Sequence, residues 1–387
     1  MVVDAEVLKL ELRKRLTPGW FLVGIILLGG LIIAVRRFAC GLGAVTNLSD
    51  QIPWGFWIGF DVVSGVALAA GGFTMAFIVH IAGDKAYRPL VRPAILTAFL
   101  GYIIVIVGLL FDLGRPWNIW RAIFWWNPHS VMFEVAWCVM LYTTVLFLEL
   151  LPVVFEGLRA EAPLRMMRRI AIPLYIVGII LSTLHQSSLG SLFLIVPTKL
   201  HPLWYTPMLP VLFFLSALTV GAAMVIFEAF LSSKLMKRGL ELELLSKLGR
   251  YLAFIDLFYV IVKVQDLGKR GAWGHAFTGS YESIFFIVEM LLFILPLFVL
   301  FNARARMQRS LLFTSALMVV LGLVLNRINV SLVGIIRGTG GSYFPNWQEF
   351  WISAFVVVAG ALVFGLITRF LPVFPKEEAE PGKASVA

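Results

Sequence analysis

The sequence predicts an all-α polytopic membrane protein with about ten transmembrane helices and both termini in the cytoplasm. Three observations carry this. Of 387 residues, 60% are apolar and only 14% are charged, which fits a helical membrane protein and not a soluble domain. The apolar residues fall in runs long enough to cross ~30 Å of hydrocarbon as helix, well beyond the ~10-residue alternating strands of a barrel. Basic residues are also unevenly shared between the loops. With the N-terminus inside, 22 of the 32 Lys and Arg fall on inner segments and 9 on outer ones, and Lys263 is left within a span. The positive-inside rule then puts both termini in the cytoplasm.

The spans are expected at 19–36, 56–82, 93–111, 131–156, 170–195, 207–231, 249–266, 281–302, 309–328 and 348–371. The first follows a basic run and has no small-residue cleavage site at its end, so it reads as a retained span. The second carries Asp61 near its outer end, followed by Gly and Ala residues that permit close helix contact. The third leads into a hairpin, Asp112–Ser130, with two Arg, one Asp, one His, two Pro and four Trp. Trp favours the membrane–water interface, so this hairpin should lie at the outer bilayer surface.

The fourth span carries Glu134, Cys138, Tyr142 and Glu149. At about 100° per residue these fall within about 80° of one another, a polar stripe ~22 Å long. A carboxylate inside a membrane is expensive, so two on one face need an interior reason. The fifth span has His185 among Ser182, Gln186, Ser187 and Ser188, and the sixth has Glu228 toward its inner end. The seventh is the most polar and only marginally long, with Asp256 and Lys263 on one face, where they can pair. Glu289 is mid-span in the eighth. Arg327 and Asn329 close the ninth, where Arg327 can snorkel. Residues 1–372 read as one transmembrane bundle and 373–387 as a disordered cytoplasmic tail, since KEEAEPGKASVA has no apolar periodicity.

Net charge is +10. In a soluble protein this would suggest nucleic acid; here it lines cytoplasmic loops, and the expected surroundings are lipid. Two cysteines, Cys40 and Cys138, cannot hold an iron–sulfur cluster, which needs about four ligands. Among five histidines only His185 lies well inside a span, so no depth-matched pair is available for a b-type haem. Neither haem nor cluster is expected in this chain.

If this is a redox protein, electrons would pass from an outside partner directly to a bound quinone, which needs an apolar slot with groups that hydrogen-bond and protonate its carbonyls; Asp61, His185 and Glu134 gather near the outer surface and are the candidates. Glu149 and Glu228 lie near the inner surface. Together with Glu134 and Tyr142 they suggest a proton path; the plain alternative is pairing with inner-loop Arg or Lys. The outer hairpin and the 336–347 loop present Asp112, Arg115, Trp117, Trp120, Arg121, Arg337 and Trp347 as a docking face.

Several stretches carry a resemblance. PWGFWIGFDV at 53–62, DLGRPWNIWR at 112–121, NPHSVMFEVAWCVMLYT at 127–143, NRINVSLVG at 326–334 and YFPNWQEFW at 343–351 resemble the NrfD/PsrC family of quinone-interacting membrane subunits. HQSSLGSLF at 185–193 and LHPLWYTPMLPVLFFLSA at 200–217 are similar to the HybB type within it. The resemblance implies an all-helical subunit without a redox centre of its own. Such a subunit exchanges electrons between a periplasmic four-cluster iron–sulfur subunit and menaquinone or ubiquinone, and is not a catalyst alone. HybB-type members serve the large and small subunits of a [NiFe] hydrogenase in the bacterial inner membrane, with outer loops periplasmic. Proton translocation is proposed for them. Similar subunits serve molybdenum oxidoreductases and multihaem cytochrome complexes. A secondary transporter would instead need a midplane site at paired helix breaks, and a passive anchor would not need interior carboxylates.

Overall fold

In a computed structural model the described residues are 18–52, 54–340 and 342–374. The expected tail beyond residue 374 and the basic run before residue 18 lie outside them. Ten long helices are present. They are α1 (Pro18–Cys40), α2 (Ile58–Ile81), α3 (Lys85–Asp112), α4 (Val131–Gly157), α5 (Glu161–Leu192), α6 (Leu209–Met236), α7 (Leu242–Lys269), α8 (Tyr281–Phe301), α9 (Arg309–Ile336) and α10 (Trp347–Phe370). Among the described residues, nine are long and apolar enough to cross a membrane. The exception is α7, which has the length but carries more charge.

Neighbours in sequence pack as neighbours in space. Helices α2–α5 form one group and α6–α9 a second, while α1 and α10 pack on each other and against α3. Helix α6 joins the two groups by packing on both α2 and α5. Small residues set the α2–α6 contact: a Cβ on Gly221 would stand 2.9 Å from the Ala70 carbonyl oxygen, and one on Gly71 would stand 3.3 Å from the Gly221 carbonyl oxygen. Such close approach replaces the hydrophobic drive that helices lack in lipid. The result is an α2 with 78% of its most apolar window buried, against 17% for α1, α5 and α10 at the rim.

Two expectations shift. Helix α5 starts at Glu161, so much of the expected 157–169 loop is helical. Arg165, Arg168 and Arg169 lie on this first stretch, and the chain is charged there without being unwound. Helix α9 continues past Ile328 through a wide π turn, Asn329–Val333, to Ile336. A second π segment, Ile58–Ser64, opens α2 and contains Asp61. π-bulges inside α-helices are frequent at functional sites.

Candidate functional site

Polar groups collect in four places. The first is the end of the bundle where α1 and α3 finish and α2 and α10 begin. Arg37 is 2% exposed. Its Nε donates to the Phe111 carbonyl at 2.7 Å and its Nη2 to the Leu113 carbonyl at 2.6 Å, which staples α1 to the end of α3. Asp61 Oδ2 accepts from the Ser353 hydroxyl at 2.5 Å, and Oδ1 is buried without a partner. Gly108 makes room for it, since a Cβ there would stand 2.7 Å from Asp61 Cβ. Glu349 caps α10 through the Asn346 N–H at 2.8 Å and also takes the Tyr343 hydroxyl. Burial, and then the bond to Glu349, push the Tyr343 phenol well above its ordinary value, so it donates as a neutral group.

The second place is the interior of α2–α5. His185 is fully buried, with Nδ1 at 2.8 Å from the Tyr102 hydroxyl. Gln186 donates to the Val66 carbonyl at 3.0 Å. His185 Nε2 and Gln186 Oε1 are buried without a hydrogen-bond partner, and the Tyr142 and Ser182 hydroxyls beside them have only each other. Buried polar atoms are almost always paired, so α4 and α5 hold unused hydrogen-bonding capacity here. At the rim above, Glu134 is exposed and accepts from the Ser188 hydroxyl at 2.5 Å.

The expected stripe on α4 therefore exists. Cys138, Tyr142 and Glu149 are buried along one face. Glu149 faces Gly178 on α5, where a Cβ would stand 2.8 Å from its Oε1. Below it, Tyr175 stacks on His80 at 3.9 Å between ring centroids. The arginines at this end of the bundle do not take Glu149: Arg92 and Arg168 pair with Glu156 at 2.9 and 3.1 Å. Glu228 forms no ion pair among the described residues either. Its Oε1 and the Thr97 hydroxyl are unpartnered, and both residues line a cavity of about 10 Å³, room for about one water.

The third place is the core of α6–α9. Lys263 pairs with Glu289 on α8, not with Asp256 as the shared face of α7 suggested. Seven residues span about 10.5 Å of helix, too far for a direct pair. Glu289 also accepts from Trp204 Nε1 at 3.0 Å, Asn326 Nδ2 at 2.8 Å and Asn329 Nδ2 at 2.7 Å. Arg327 does not snorkel. It is 1% exposed, donates to Asn326 Oδ1 at 2.7 Å and to Ser216 Oγ at 2.8 Å, and lies 3.7 Å over the Phe213 ring.

The fourth is the surface of the hairpin between α3 and α4. Trp117, Trp120, Trp125, Trp126 and Phe124 are all exposed, and the Arg121 guanidinium sits 4.4 Å over Trp125. Trp137 Nε1 ties the hairpin to α4 by donating to the Ala122 carbonyl at 2.9 Å. Arg115 within the hairpin and Trp347 at the start of α10 are also exposed. Asp112 differs from the rest of the expected docking set: its Oδ1 is buried and it faces Glu349 and Arg37. The Arg337 side chain lies outside the described residues.

Of the three residues expected at the quinone, His185 and Glu134 fall on one side of α3 with Tyr102 and Ser188. Asp61 packs against Gly108 of α3 and bonds to α10. The profile described as "Polysulphide reductase, NrfD" matches residues 44–337, which takes in these groups except Arg37 and the residues from Tyr343 onward. The chain belongs to the NrfD family. This family consists of quinone-interacting membrane subunits of oxidoreductase complexes, and the chain is a multi-span membrane protein of that kind. A protein of Nitratidesulfovibrio vulgaris is 42% identical over 93% of this chain and 95% of its own length. The probable Ni/Fe-hydrogenase 2 b-type cytochrome subunit of Escherichia coli K12 is 35% identical over 89% of each chain. The menaquinone reductase integral membrane subunit of N. vulgaris is 28% identical over 90% of this chain and 89% of its own.

Sequence reasoning missed Tyr102, Ser353 and Arg37. Tyr102 sits in an apolar run, GYIIVIVG, that reads as plain core.

Proposed function

We propose that this NrfD-family chain is the quinone-reactive subunit of a respiratory complex in a bacterial inner membrane. It passes electrons from a periplasmic iron–sulfur partner to menaquinone or ubiquinone, and that partner belongs to a [NiFe] uptake hydrogenase. The hydrogenase assignment draws on the 35% identity to a subunit named for Ni/Fe-hydrogenase 2. The observation that carries the quinone site is His185, held at Nδ1 by Tyr102 and left with Nε2 free inside the bundle.

Reduction of a quinone takes two electrons and two protons. His185 Nε2 can hydrogen-bond one carbonyl, with Gln186 and Tyr142 beside it. Glu134 at the rim and Asp61 across α3 are the nearby carboxyl groups that can hold protons for the two oxygens. Electrons come from the partner, whose cluster must approach the outer end of α2–α5. The aromatic hairpin supports this, because exposed Trp and Arg are the residues that anchor interfaces.

The direct experiment compares the purified complex with the partner enzyme lacking this subunit. Hydrogen-dependent reduction of a water-soluble menaquinone analogue should require the subunit. Equal rates without it would refute the proposal. Crosslinking the intact complex should join the partner to the Asp112–Ser130 hairpin and the 336–347 loop. Crosslinks confined to the 157–169 and 232–248 segments would put the partner on the opposite side. The purified chain should also show no haem Soret band, because His185 has no histidine opposite it at the same depth. One stoichiometric b-type haem would overturn that expectation and make His185 Nε2 a candidate ligand.

A further inference from the structure

The α6–α9 half holds ionisable groups that the quinone site does not use. Asp256 lies midway along α7 and is fully buried, and neither carboxylate oxygen has a hydrogen-bond partner. An unpaired carboxylate inside a membrane-spanning bundle is stable only as the neutral acid. Tyr259 and Lys263 follow on the same face, about 4.5 and 10.5 Å further along the axis toward the outer end. Lys263 Nζ stands 3.3 Å from the Tyr259 hydroxyl and is paired with Glu289. Beyond them is a cavity of about 20 Å³, lined in part by Tyr259, Lys263, Asn326, Asp266 and Arg270. That is enough for one or two waters. Asp266 and Arg270 form an ion pair at 2.9 Å in the last turn of α7.

The charges near this line do not cancel. Lys263 and Arg327 are cations, Glu289 is the anion beside them, and Arg327 Nε has no partner. The three sum to one positive charge. An ionised Asp256 would bring the buried group to neutrality, so its proton can leave without stranding a net charge.

We propose that Asp256 is a proton-binding site in the middle of the α6–α9 half, exchanging its proton with outer-side water through Tyr259, the Lys263–Glu289 pair and this cavity. The step is a proton transfer alone. The Asp256 O–H bond breaks, an intervening water passes the proton to the Tyr259 hydroxyl, which gives its own proton to cavity water, and the carboxylate left behind brings the buried set of Lys263, Arg327, Glu289 and Asp256 to neutrality. Nothing is oxidised or reduced. Any coupling to turnover rests on the quinone reading; the site itself does not.

The test is infrared difference spectroscopy on the intact complex during exchange from H2O to D2O. The parent should show a protonated-carboxyl C=O stretch that shifts in D2O and is missing from Asp256→Asn. A second variant, Val330→Phe, fills the cavity from α9 and leaves Asp256 in place. It should slow exchange of that band about tenfold or more. Identical protonated-carboxyl bands in parent and Asp256→Asn would overturn the proposal, as would an unchanged exchange rate in Val330→Phe. Hydrogen-dependent quinone reduction by Asp256→Asn in detergent should match the parent. If parent and variant both fail to reduce quinone while the infrared result holds, the quinone reading falls and the proton site stands.

Discussion

Replacing His185 with alanine is expected to lower hydrogen-dependent quinone reduction about 100-fold or more, within the range that a positioned acid–base group supplies. Hydrogen oxidation with an artificial dye should stay at the parent rate, because dyes take electrons upstream of this chain. The effect is large because His185 is held in one orientation: its Nδ1 meets the Tyr102 hydroxyl at 2.8 Å and its Nε2 is free. Alanine removes the free nitrogen and leaves the Tyr102 hydroxyl unpaired. Tyr102→Phe removes only the orienting bond, so its loss should be smaller, about tenfold. Dye-linked activity and subunit stoichiometry confirm assembly in both variants. A His185→Ala complex that reduces quinone within about twofold of the parent would remove this residue from the site.

The second large effect concerns charge across the membrane. If the protons for quinone come from outside, reduction near the outer face moves no charge. Protons drawn from the cytoplasm would each work against about 2.3 kcal/mol per 100 mV. The α4 stripe supplies stations for such a route: Glu149 low, Tyr142 and Cys138 between, Glu134 at the rim. Glu149 is 7% exposed and unclaimed by the inner arginines, which pair with Glu156. Glu228 borders a cavity for about one water and offers an inner entrance. Cys138 is a poor relay, so water must bridge that gap. Glu149→Gln or Glu228→Gln keeps shape and hydrogen bonding but cannot ionise. Either should cut the membrane potential generated in proteoliposomes by about tenfold or more per electron transferred. Parent-like potential and turnover in both variants would take these glutamates off any proton path.

Much of this was legible because charge in an apolar run is conspicuous. Asp61, Glu149 and His185 stand out against their neighbours, and 100° periodicity alone puts Glu134, Cys138, Tyr142 and Glu149 on one face. What escaped depends on contacts between helices. Lys263 and Glu289 are 26 residues apart and meet only because α7 and α8 pack together. The sequence neighbour Asp256 looked the better partner and is unpaired. Tyr102 reads as core until His185 is seen against it. Arg37 binds two carbonyls at the end of α3, 74 and 76 residues further along the chain. The Glu161 start of α5 was hidden by arginines that resemble a loop.

The central claim is that quinone binds in the outer half of α2–α5 at His185. It is tested most directly by photolabelling the intact complex with an azido-quinone and mapping the adducts by mass spectrometry. The account predicts adducts on α3, α4 and α5 around Tyr102, Tyr142 and His185, and their loss when excess unlabelled quinone competes. Competed adducts confined to α6–α9, or to the inner ends of the helices, would contradict it.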